Sequence, residues 1–196
     1  MAEVAQQTGE DGDAPLAALR EGLKHLPQSP SIHLKLASLL LEREQYDDAL
    51  TQALHPSLKS RFDAMAIALS AAIHTQRCGE AVSMAGPDFE KNDALSTHAR
   101  IDFAVACCLA GDTARGKAVF ASIRPDSSNC AKLAEAHLLA GHADQAEILA
   151  QRNIAQSTAP KSSDWILLGD ARAMQGRPAE ANAAAVVGTA NPVSNP

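Results

Sequence analysis

The stretch SSDWILLGDARAMQGRPAEANAAA, residues 162–185, decides how this chain is read. Trp165, Leu168 and Gly169 stand at helical spacing in its first half, Gly176 closes that half, and the last helix begins at Pro178 with Ala181 inside it. A Gly at this place takes the left-handed backbone that ends a helix. The segment reads as two antiparallel helices joined by a tight turn, with small residues where they cross and larger ones filling the gaps to neighbouring pairs.

The layout recurs toward the N-terminus. Thirty-five residues earlier, KLAEAHLLAGHADQAEILA carries Leu133 and Ala134, a turn at Gly141, and Ala146 in the second helix. Before that, FAVACCLAGDTARGKAVF carries Phe103 and Ala104, then Gly111, Gly116 and Phe120. HLKLASLLLEREQYDDALTQAL carries Leu36, Ala37, Tyr46 and Ala49. The small residues Ala49, Ala81, Gly116, Ala146 and Ala181 fall 32, 35, 30 and 35 positions apart. Pro27, Pro30, Pro56, Pro87, Pro125 and Pro160 punctuate the boundaries, since Pro removes a donor and clashes with the preceding turn. Between Ser57 and Ala85 only the second helix is readable, from Gly79, Glu80 and Ala81. ALREGLKHLPQSP reads as a lone second helix ahead of the first full pair, ending at Pro27.

This pattern resembles the tetratricopeptide repeat, whose period is about 34 residues and whose motif runs W-x2-L-G-x2-Y, then A-x3-F, then P. Trp165, Leu168, Gly169 and Ala181 match it; Arg172 and Ala185 stand at the Tyr and Phe places, and Pro192 lies near the closing Pro. His137 and His33 occupy places the family gives to aromatic residues, so packing is their expected role, and Phe120 supplies the second-helix Phe. The resemblance implies an all-α solenoid of about eleven helices over residues 14–190. A partial repeat lies at 14–27, and full repeats lie near 30–56, 58–86, 96–124, 127–156 and 162–190. Residues 1–13 are expected as a disordered acidic tail, with Asp13 capping the helix that begins near Ala14, and 191–196 as a flexible tail.

In this family the first helix of each repeat lines a groove. The phase carries over to Leu34, Ser38 and Leu41, to Ile101, Val105 and Cys108, to Ala131, Glu135 and Leu138, and to Ile166, Asp170 and Ala173. Members that grip a peptide carboxylate use Lys, Arg and Asn at such positions; none of these twelve is one, although Lys35 and Lys132 lie one step off. The groove is therefore expected to take an amphipathic helix or an extended apolar peptide, with Glu135 and Asp170 meeting basic groups of the partner. The implied function is a protein-interaction scaffold, an adaptor or chaperone-like protein, in the manner of secretion or assembly accessory factors. The alternative is a regulatory or structural subunit that associates, as a homodimer or in a complex, through its last helix. There ANAAAVVGTA, residues 181–190, carries no charge where a terminal repeat needs a polar outer face.

Composition agrees with these expectations. Hydrophobic residues make up 46% and aromatics 3%, so Ala, the best helix former, dominates the apolar content. The 17 basic and 23 acidic residues give a net charge of −6, which argues against a nucleic-acid scaffold. Cys78, Cys107, Cys108 and Cys130 form no CxxC pair and read as reduced, buried thiols, which fits the cytoplasm. The first residues show no signal-peptide pattern, and no apolar run is long enough to span a membrane.

No phosphate loop, dinucleotide fingerprint, nucleophile elbow or H-E-x-x-H helix occurs. His98 and Asp102 at helical spacing read as a surface ion pair, and Asp47 and Asp48 suit a helix N-terminus. No catalysis, cofactor or metal is expected.

Overall fold

A computed structural model describes residues 4–190 apart from 91, 93 and 94, the side chains of 4–13 and 88 also lying outside the description. The flexible tail expected at 191–196 lies outside the described residues.

Eleven α-helices and one 3-10 turn, Pro56–Leu58, run through these residues, with no strand among them. The helices are α1 Val4–His25, α2 Pro30–Glu42, α3 Tyr46–Ala53, α4 Phe62–Thr75, α5 Cys78–Glu90, α6 Thr97–Leu109, α7 Thr113–Ser122, α8 Cys130–Leu139, α9 Ala143–Gln156, α10 Ser162–Met174 and α11 Pro178–Ala190. The chain divides into two compact units, one reaching Leu95 and one beginning at Ser96. The all-α repeat architecture implied by the sequence is the one the protein has.

The pairs α2/α3, α4/α5, α6/α7, α8/α9 and α10/α11 each turn tightly. The residue that reverses the chain has positive φ in all five: Glu44, Gln76, Gly111, Gly141 and Gly176. After α8, the N–H of His142 reaches the carbonyl of His137 at 2.7 Å and that of Gly141 reaches Leu138 at 2.9 Å. These bonds satisfy carbonyls that the helix end would otherwise leave unpaired. The three glycines expected to end helices are at this position; Glu44 and Gln76 hold it in the N-terminal unit.

In the N-terminal unit, α2 packs along α3, α3 along α4, and α2 lies beside α4. Leu36, Leu40, Leu50, Leu58 and Leu69 are buried together with Ala37, Ala49, Ala53, Ala64, Ala68, Ala71 and Ala72. His33 is buried too: its ring stacks on His55 with centroids 3.6 Å apart and lies 2.8 Å from Gln52 Oε1 and 2.9 Å from the Pro27 carbonyl. The packing role expected of it holds.

Two expectations fail here. The acidic head is helical in its backbone from Val4, so Asp13 lies inside α1 and does not cap it. Pro15 lies inside α1, where it removes one bond of the ladder and crowds the preceding turn, and Gly9 and Gly12 are weak helix formers, so the backbone ahead of Ala14 is helical against local preference. The second repeat does not stop before Pro87. Gly86, at φ 65° and ψ −174°, breaks α5, and Pro87 starts another turn that carries Phe89 into the core against Phe62, ring centroids 6.1 Å apart. Pro suits the first position of a helical turn, where its missing N–H costs nothing.

In the C-terminal unit, α6 lies beside α8 and α8 beside α10, while α9 packs along α10. Small residues set the crossings. A Cβ on Gly116 of α7 would stand 2.7 Å from the carbonyl oxygen of Ala104 on α6. One on Gly169 of α10 would stand 3.2 Å from the Ala181 carbonyl oxygen of α11, and one on Gly188 would stand 2.8 Å from Trp165 Cβ. Polar ties lock α9 to the last pair. Asp164, buried at the start of α10, accepts from Asn153 Nδ2 at 2.9 Å and from the Lys161 N–H at 2.8 Å. Glu147 accepts from Arg172 at 2.9 Å and from Arg177 at 2.7 Å, and Arg177 also pairs with Glu180. Burial alone would push the Glu147 carboxyl up, but hydrogen bonds from Arg172 and Arg177 help hold it below the ordinary range.

Candidate functional site

Five equivalent first helices can be aligned by their positive-φ turn residues, which are 32, 35, 30 and 35 positions apart. The alignment supplies what the sequence left open in the second repeat. Leu34, Ser38 and Leu41 of α2 correspond to Ala66, Ser70 and Ile73 of α4, and these six are half-buried. α4 hid its phase because AMAIALSAAI is apolar all round, so no polar face marked a stripe.

In the C-terminal unit the twelve-residue set divides. Ile166, Asp170 and Ala173 are exposed on one face of α10, Ile166 to 53%. Glu135 is exposed and Ala131 and Leu138 are half-buried on the matching face of α8. Cys108 of α6 is half-buried. Ile101 and Val105 belong to the core and not to a groove, being 0% and 1% exposed. α6 is buried on almost every side, at Ala99, Ile101 and every residue from Phe103 to Cys107, so packing claims the positions that the repeat phase assigned to binding.

The polar group that α6 presents is Asp102, one position on. Lys132 of α8 reaches it at 3.7 Å and also reaches Glu135 at 3.9 Å. Burial pushes the Asp102 carboxyl above the usual carboxylate range, with Lys132 and then His98 pulling the other way. The ion partner at contact distance is thus Lys132, a residue on a neighbouring first helix that i, i+4 spacing along α6 could not reveal. α8 carries exposed Glu135 and half-buried Leu138 and α10 carries exposed Ile166 and Asp170, with Lys132 engaged by Asp102 and Glu135.

A second feature was not legible in the sequence. α3 packs along α4 and α9 along α10, but α7 and α8 approach each other much less, and a cavity of about 720 Å³ opens between them. Phe120, Ile123, Leu133, Leu149 and Met174 form its apolar wall, and Lys117, His137, His142 and Asp144 stand among its polar groups. The His137 ring bridges the gap, stacked on Phe120 with centroids 4.2 Å apart. Its Nδ1 lies 3.3 Å from Nδ1 of His142. Burial, then the His142 charge, lowers the His137 pKa to about 4; burial, then Lys117, lowers that of His142. Only the packing role of His137 was expected, and the i, i+5 separation carries no motif.

The third feature is α11. Ala184 and Gly188 are buried against α10, whereas Val186 is 65% and Val187 38% exposed. On α10, near Gly188, the Trp165 indole N–H is buried with no hydrogen-bond acceptor among the described residues. Among those residues no helix is long and apolar enough to cross a membrane.

No protein-family model matches the chain, and no curated protein matches it. Among solved structures it is similar to a tetratricopeptide repeat protein from Parabacteroides merdae, with a TM-score of 0.64 and 17% identity, over 95% of this chain and 74% of that one. It is also similar to a MamA protein, with a TM-score of 0.48 and 17% identity, over 96% of this chain and 86% of that one. The first of these carries the fold assignment: the chain has a tetratricopeptide repeat fold.

Proposed function

We propose that this repeat array is a protein-interaction scaffold, and that the first-helix face of its C-terminal unit holds a basic, amphipathic helix of a partner. The observation that carries the reading is Ile166, a large apolar side chain left 53% exposed one helical turn before Asp170 on α10, with Glu135 exposed on α8, the first helix that α10 packs beside. An apolar ridge flanked by acids suits a helix whose apolar face carries Lys or Arg along its edges. In the N-terminal unit, half-buried Leu34, Ser38 and Leu41 form a candidate surface of that unit's own. The reading assigns no catalytic step to the chain. It extends to an adaptor or chaperone-like role in secretion or assembly, by analogy of fold alone. It also extends to a cytoplasmic location, on the strength of four free cysteines.

A second reading rests on α11. Its exposed Val186 and Val187, in a segment without charge, favour association through the C-terminal end, with a second copy or within a complex. Affinity capture from the native cell extract separates the two, using wild type, Leu41→Asp, Leu138→Asp and Ile166→Asp, each checked for retained helicity, with Val186→Asp alongside. Loss of one partner in the first-helix variants and its retention in Val186→Asp supports the groove. The reverse pattern moves the contact to α11, and sedimentation of the purified chain then shows whether it pairs with itself.

A further inference from the structure

We propose that His137 and His142 form a two-imidazole site for a divalent transition-metal ion of the zinc class. The pair sits in the wall of the cavity between α7 and α8, where an ion can enter from solvent and keep water ligands. Its two Nδ1 atoms are 3.3 Å apart. Two nitrogens bound to one tetrahedral Zn2+ at about 2.0–2.1 Å each lie about 3.3–3.4 Å from one another. The spacing of the donors is therefore already that of adjacent ligands. The ring centroids are 5.5 Å apart with planes inclined at 51°, and the Nδ1 edges of the two rings face each other.

The backbone fixes this juxtaposition. His137 lies in the last turn of α8 and His142 immediately precedes α9, and the His142 N–H is bonded to the His137 carbonyl across the turn. Stacking on Phe120 holds the first ring from behind. Two residues brought together by a tight turn lose little freedom on sharing an ion, which is the entropic advantage of a preorganised site. Imidazole nitrogen suits zinc, copper and nickel, and excludes magnesium and calcium, which take oxygen ligands. Lys117 and Asp144 face the same cavity, the first opposing a cation and the second favouring it. No third His, Cys, Asp or Glu converges with the pair among the described residues, so two waters complete a tetrahedral coordination, one more than in an open zinc site with three protein ligands.

The test is titration of the full chain with Zn2+, followed by calorimetry and by nitrogen-resolved NMR of the histidine rings, with Mg2+ as the comparison ion. One Zn2+ per chain is expected, with two rings shifting together to the Nε2–H form with metal on Nδ1, and no response to Mg2+. His142→Gln, which leaves the Phe120–His137 stack in place, should weaken Zn2+ at least about tenfold, while His98→Gln should not. His137→Gln should match His142→Gln if it folds; the proposal is decided by His142→Gln alone if it does not. Rings unmoved by Zn2+ overturn the proposal and leave a hydrogen-bonded pair. Zn2+ bound with wild-type affinity in His142→Gln overturns it as well.

Discussion

Replacing Gly116 by Ala places a methyl group where two helices touch. The new Cβ would stand 2.7 Å from the Ala104 carbonyl oxygen and also within contact of Cys108 Sγ, both on α6. The sulfur can swing aside, but the carbonyl belongs to a helix ladder and yields only if α6 and α7 separate. Overpacking of this kind costs about 1–3 kcal/mol, toward the upper end when backbone must move. Against it stands the helix preference of Ala over Gly, about 1 kcal/mol. The net expectation is destabilisation by about 1–2 kcal/mol, or a melting temperature lower by about 2–8 °C for a chain of this length. Gly79, in the first turn of α5, has nothing within 4 Å of its added Cβ, so Gly79→Ala should be neutral or stabilising by up to about 1 kcal/mol. Cys108→Ala in the Gly116→Ala background should restore only part of the loss, because the carbonyl contact remains. Circular dichroism melts of the four proteins in reducing buffer decide the matter. A Gly116→Ala protein as stable as wild type would refute the close crossing of α6 and α7 at this residue.

Other outcomes follow from the turns and the charges. Glu44→Gly and Gln76→Gly relieve left-handed backbone that glycine adopts freely and should each stabilise by up to about 1 kcal/mol, whereas Gly141→Ala should destabilise by about 1 kcal/mol or more; urea titrations measure all three. Glu147→Gln weakens the charge-assisted bonds from Arg172 and Arg177 that tie α9 to the last repeat, and should cost about 1–2 kcal/mol in the same assay. His137 has a folded pKa of about 4 against an ordinary 6.5, so the fold binds that proton less readily than the unfolded chain does. Its neutral form is compatible with burial at any pH above 6.5, and stability should fall as pH drops from about 6.5 toward 4, by about 2–3 kcal/mol at most. Melts in chelator across this range should show a smaller drop in His137→Phe, which keeps the stack on Phe120 and does not titrate.

What the sequence revealed, and what it hid, has a physical logic. The helix pairs were legible because crossing points demand small residues and turns demand left-handed backbone, and both demands recur with the repeat. Glu44 and Gln76 show that the turn itself can be met without glycine, which is why the first two repeats announced themselves less clearly than the last three. The exposed face proposed for binding was only half legible. Phase alone put Ile166 and Asp170 on the surface correctly, but it put Ile101 and Val105 there too, because a repeat pattern records where a residue lies on its own helix and not how closely the next helices approach. Asp102–Lys132 and His137–His142 escaped for a related reason. One links different helices, and the other crosses a turn at a separation that belongs to neither helical nor strand periodicity.

The loose seam between α7 and α8 also determines where the C-terminal unit breathes. α9 is held by a packed helix and a charge network, so its amides exchange with solvent only when a large part of the unit opens. Along α7 the neighbouring repeat is reached across a void, chiefly through one aromatic stack. α7 is packed along α6 and has only this slight hold on α8 and α9. Deuterium uptake is expected to be faster along α7 than along α9, and a ligand that fills the void is expected to slow it, which would make that helix the unit's reporter of occupancy.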